Sequence, residues 1–191
     1  MAKTDTWPVI HAERKALASD LTGLPADGWS RPSLCAGWSI RDVLAHMTAT
    51  AKTTPTSFFP KLMGSGFSFT RMQAKDIRAE SGMTPEDTLA GFESVLNSKK
   101  RPPGPPAAIL GETLVHSEDI RRALGIEHGY PMEAIVEVAE FYKGSNLLLG
   151  TKKRINGLRL QATDTDWSHG SGSEASGPMM SLVLAMTGRK A

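Results

Sequence analysis

One segment constrains the rest of the 191-residue chain most: Ala107 to Gly125, AAILGETLVHSEDIRRALG. Ile109, Leu110, Leu114, Ile120 and Leu124 recur at helical spacing, and Gly125 stands where a helix ends in a left-handed residue. Such a helix has one apolar face and has to bury it against other elements. Glu112 and His116 lie along a flank of that face, four residues apart, so their side chains sit one turn apart. A carboxylate above an imidazole is half of a metal site. A third ligand has to come from elsewhere, and His46, in the amphipathic segment Ser39 to Thr50, is the best candidate. One ligand from one helix and two from another make a three-ligand centre with an open position, as in catalytic zinc sites. Spacing alone favours a plainer reading, a helix-flank ion pair with His46 as a groove histidine.

Helical punctuation recurs along the chain. Thr6 to Thr22 reads as a helix, with Pro8 in its tolerant first turn. Pro25 to Trp38 reads as a loop pinned by Trp29 and Trp38. Ser39 and Asp42 form a capping-box signature ahead of Ile40, Val43, Leu44 and Met47. Thr54 to Phe67, interrupted by Pro55, Pro60, Gly64 and Gly66, reads as an excursion between helices that could cover a pocket. Phe69 to Glu80 is expected to form a short helix. Thr84-Pro85-Glu86-Asp87 opens another that runs to about Ser98. RPPGPP, from Arg101 to Pro106, is a stiff connector. Pro131 opens a helix to about Leu149. After Gly150 the texture changes: Ile155 to Ala162 alternates like a strand, a second short strand is expected near Trp167, and Pro178 to Thr187 is a final apolar helix. The expected fold is mainly α: an up-and-down four-helix bundle with the metal site over residues 1–150, then a small, reduced α+β module over 151–191.

Bulk properties exclude several function classes. A net charge of +2 gives no electrostatic footprint for nucleic acid or an anionic membrane. No stretch approaches 18 consecutive apolar residues, and the charged N-terminus lacks the apolar core of a signal peptide. A single cysteine, Cys35, excludes an internal disulfide and fits a reducing compartment. The expectation is a cytoplasmic protein acting on a small molecule, with a homodimer left open. Gly170-Ser171-Gly172-Ser173-Glu174-Ala175 formally matches a dinucleotide fingerprint, but no helix-strand unit follows it. No Walker loop, His-Glu-x-x-His or Gly-x-Ser-x-Gly occurs.

WSRPSLCAGWSIRDVLAHM, from Trp29 to Met47, resembles the first signature of the mycothiol-dependent maleylpyruvate isomerase family, which belongs to the DinB-like metal-binding four-helix bundles. Glu112-Thr113-Leu114-Val115-His116, followed by Asp119-Ile120-Arg121-Arg122-Ala123-Leu124-Gly125, resembles a second run of that family, particularly of its actinobacterial branch. Gly177-Pro178 and the ending from Leu184 to Arg189 resemble its small C-terminal module. The resemblance places the metal ligands on His46, Glu112 and His116. It implies a divalent metal, zinc first, with nickel or iron fitting the same ligands, and mycothiol or a similar low-molecular-weight thiol as cofactor. The implied activity is of the isomerase or S-transferase type. The alternatives are a zinc hydrolase of small amides or thiol conjugates and a non-catalytic metal- or ligand-binding bundle. An arginine of the family's module is thought to grip a substrate carboxylate, and Arg189 is the position it would take here.

The remaining chemistry-bearing residues have plainer readings. Asp119 could orient a ligand imidazole or pair with Arg122 three residues on. Arg121 and Arg122 read as charges complementing a helix C-terminus. Cys35, with no base near it in sequence, reads as a packed cysteine. His11, His128 and His169 have no partners at ligand spacing and read as surface residues.

Overall fold

Short polar side chains start the helices that carry the site. The computed structural model describes residues 5–146 and 150–190. Helix α1 (Trp7–Leu21) opens with Pro8 in its first turn, and a single turn, α2 (Ala26–Trp29), follows. The Ser39 side chain then accepts from Asp42 N, Asp42 returns a bond to the Ser39 backbone, and α3 (Ile40–Lys52) begins. This is the capping box expected from the sequence. The stretch after it is not an irregular excursion. Thr54 and Ser57 form a second capping box and start α4 (Pro55–Met63), which tolerates Pro60 within it. Helix α4 buries none of its residues, so the missing Pro60 N–H leaves no orphaned group in a core. Ser68 caps α5 (Phe69–Glu80). Thr84 and Asp87 form a third capping box at the start of α6 (Pro85–Glu93), which ends earlier than expected and continues as turns. Val95 stays buried and Leu96 packs on the core through those turns, so the helical spacing of apolar residues outlasts the helix.

The Pro-rich connector leads into α7 (Pro106–Leu124), closed by Gly125 at φ 73°. Helix α3 packs against α5, α6 and α7, and α1 packs against α6 and α7. Their shared core includes Leu17, Leu21, Trp29, Ile40, Leu44, Met47, Phe92 and Ile120. The bundle expected from the sequence is present, and residues up to His128 form one compact unit.

The second compact unit begins at Gly129 rather than at 151. Helix α8 (Met132–Gly144), expected in the bundle, packs instead on α10 (Met179–Met186) and the single turn α9 (Thr151–Arg154). The expected extension of α8 through Leu147 to Leu149 lies outside the described residues. Strand β1 (Leu158–Ala162) is central to a three-stranded sheet. It pairs antiparallel with β2 (Ser168–Gly170) and parallel with β3 (Ser173–Gly177), with Leu160 opposite both His169 and Ala175. The Gly-x-Gly of this tail serves the sheet. A Cβ at Gly170 would collide with the Leu158 carbonyl, and one at Gly172 with that of Gly157.

Candidate metal centre

Two helices of the bundle and one loop build the site. His46 lies on α3 one turn after the capping box, and Glu112 and His116 are one turn apart on α7. One ligand-type atom from each of the three lies within 4.8 Å of the other two. The imidazoles of His46 and His116 meet edge to face, with centroids 5.1 Å apart. The structure thus gathers the three residues singled out in the sequence. Arg189 belongs to the other compact unit, where its guanidinium donates to the Thr187 carbonyl at 3.3 Å.

The loop before α3 supplies the wall. Trp38 lies 4.9 Å from the His46 ring and stacks on the His116 ring at 6.0 Å. Its position is set by local hydrogen bonds: Trp38 N donates to Cys35 O, and the Trp38 carbonyl accepts from both Ser33 N and Ser33 Oγ. Leu34 N donates to the Asp119 carbonyl, which ties the loop to α7. This brings Cys35 beside a base after all. An atom of His116 and one of Asp119 both lie within 4.8 Å of its Sγ, although the residue also packs on the bundle core.

Asp119 is wholly buried and meets His116 Nδ1 at 2.8 Å, while Arg122 pairs with Glu118 at 2.7 Å. As a carboxylate, Asp119 can only accept, so this bond puts a proton on Nδ1 and leaves the Nε2 lone pair for a ligand. Glu112 is the electrostatic anomaly. Both its oxygens are buried without a hydrogen-bond partner. Burial pushes its carboxyl above the usual carboxylate range. The neighbouring His116 ring and Arg14 guanidinium, with the nearby Thr113 and Thr50 hydroxyls, only partly offset this. A carboxylate removed from water with nothing bound to it is costly, and a cation placed between Glu112 and the two imidazoles would remove the cost. The donor set, two imidazoles and one carboxylate, is one zinc accepts. By that test the residues fit a divalent metal.

Three further side chains are placed otherwise than the sequence suggests. Arg121 is not a surface charge at a helix end. It is fully buried and meets Asp20 at 2.7 Å and Glu13 at 3.7 Å. His128 is not a lone surface histidine either, since its Nε2 meets Glu13 at 2.8 Å. His11 is half-buried, with Nε2 lacking a partner, and burial lowers its pKa.

Residues 10–99 match the family model of the mycothiol maleylpyruvate isomerase N-terminal domain. The likeness is to that domain and spans just under half of the chain. The matched stretch contains His46 and ends before α7. A crystal structure of a histidine-to-alanine mutant of the mycothiol-dependent maleylpyruvate isomerase is similar to this chain with a TM-score of 0.65. It is 12% identical, over 94% of this chain and 86% of that one. A second structure of that isomerase gives a TM-score of 0.61 at 12% identity, covering 96% and 88%. These likenesses show a shared DinB-like bundle with a C-terminal α+β extension. No curated protein sequence matches the chain. Among the described residues, no helix is long and apolar enough to cross a membrane.

Proposed function

We propose that the chain is a divalent-metal enzyme of the mycothiol-dependent isomerase or S-transferase type. His46, Glu112 and His116 would hold the metal, with zinc the first choice and mycothiol or a similar small thiol as cofactor. One observation carries the reading. Two separate helices converge three ligand-type atoms to within 4.8 Å around a buried carboxylate that has no other partner. A metal in this position lowers the pKa of a coordinated thiol or water, so that a nucleophile exists at neutral pH.

The chain's own residues would do the rest. Asp119 fixes the His116 ring and keeps the proton on Nδ1. Trp38 lies against both imidazoles, restricts their rotation and keeps water off that side of the site. Three protein ligands, rather than four, leave a coordination position for the thiol.

Cobalt substitution tests the reading. The cobalt-loaded protein titrated with mycothiol should gain a thiolate-to-metal absorption band and should isomerise maleylpyruvate or turn over a mycothiol conjugate. A cobalt spectrum that ignores the thiol, with no turnover, would mean a closed, non-catalytic site. Turnover of amides without any thiol would mean a hydrolase.

A further inference from the structure

Arg14 is the most unusual side chain in the bundle. It is a wholly buried arginine on α1, and α1 packs against α7. Its Nη1 donates to the Ser98 carbonyl at 3.1 Å, but Nε and Nη2 are buried with no partner. The orphaned Glu112 oxygens are its electrostatic counterpart: the Glu112 charge is what opposes the loss of basicity that burial imposes on the guanidinium. Arg14 is on α1 and Glu112 on α7, two helices that pack together, and Ser98, which holds Nη1, donates its hydroxyl to the Ala51 carbonyl of α3 at 2.7 Å. Yet no guanidinium nitrogen comes within 4.0 Å of a Glu112 oxygen, since this pair is absent among the ion pairs of the described residues. Two opposite buried charges with unused donors and acceptors, close but not touching, are what a bridging water or a small side-chain shift would join.

We infer that Arg14 is a positioning residue for Glu112. Its free Nε and Nη2 hold one carboxylate oxygen, directly or through one water, and so turn the other toward His46 and His116. The inference rests on the metal-binding reading above. It assigns Arg14 no contact with substrate. Partners of this kind behind a liganding carboxylate are worth about 10–100-fold in metal affinity.

The test measures zinc affinity, by competition with a chromophoric chelator, for four full-length proteins: wild type, Arg14→Gln, Glu112→Gln and the double variant. Arg14→Gln keeps a donor for the Ser98 carbonyl and removes the charge and the fork. It should weaken zinc binding about 10–100-fold in the wild-type background and by less than about three-fold when Glu112 is already Gln, because a residue that acts through Glu112 has nothing left to act on. Equal losses in both backgrounds, or no loss in either, would overturn the inference. If Arg14→Gln does not fold, Arg14→Lys replaces it throughout. It retains the charge without the planar fork, and unchanged affinity in that variant would equally overturn the inference. Failure of the wild type to bind zinc would instead overturn the metal reading itself.

Discussion

Helix α7 carries two buried polar clusters that behave oppositely. Toward its C-terminal end, Arg121 meets Asp20 and Glu13, and Glu13 also meets His128. Opposite charges meet there, although one Arg121 nitrogen, Nη2, is buried with no hydrogen bond. Less than three turns earlier, Glu112 has two unpartnered oxygens, Arg14 has two unpartnered nitrogens, and the His46 and His116 rings converge on the same place. Burial is costly for the charges of both clusters. One cluster offsets the cost inside the protein. The other leaves it standing until something binds, which is the pattern expected where structure is arranged for function.

The comparison can be broken by mutation. The largest effect is expected in the matched cluster. Arg121→Ala strands Glu13 and Asp20 and should cost about 3–5 kcal/mol, read as a lower denaturant midpoint; a loss under about 1 kcal/mol would mean the network is not closed. Next comes the support of the open cluster. Asp119→Asn should keep the fold and weaken zinc binding about 10–100-fold, measured by chelator competition; unchanged affinity would mean that the Asp119–His116 bond orients nothing. Third, Glu112→Gln removes a buried charge whose desolvation its neighbours only partly offset. The metal-free variant should melt no lower than the metal-free wild type, and a clear loss of stability would show that those neighbours outweigh the cost of burial. The smallest effect lies outside both clusters. Asp87 accepts from the Thr84 and Met83 N–H groups, and these bonds hold its carboxyl below the usual range. A lowered folded-state value means the cap is fully stabilising above the ordinary carboxylate pKa and is lost as pH falls through the lowered value. The stability gap between wild type and Asp87→Asn should therefore be widest near neutral pH and close in acid.

Much of the first unit was legible because its signals are local. The capping boxes at Ser39 and Thr84, the Gly125 terminus and the one-turn stack of Glu112 and His116 all lie within a few residues of sequence. Helix α4 was missed because Pro60 counts against a helix unless the helix is exposed, and exposure is not written in the sequence. Strand β3, SEASG, has no β-branched or aromatic residue and exists because β1 offers it an edge. The site divides in the same way. His46, Glu112 and His116 were singled out by spacing and by resemblance. Arg14, the Trp38 wall and the Cys35 contact were not, since they depend on which loop and which helix face the fold presses against α7. The Arg121 pairs join residues about a hundred positions apart, and no periodicity encodes such a pair.

The central claim is that α3 and α7 share one metal. Its most direct test is the metal content of the purified protein beside that of His46→Ala and His116→Ala, after incubation with zinc and removal of excess. The account predicts about one equivalent in the wild type and none in either variant, with all three folded. No metal in the wild type, or retention in one of the variants, would contradict it.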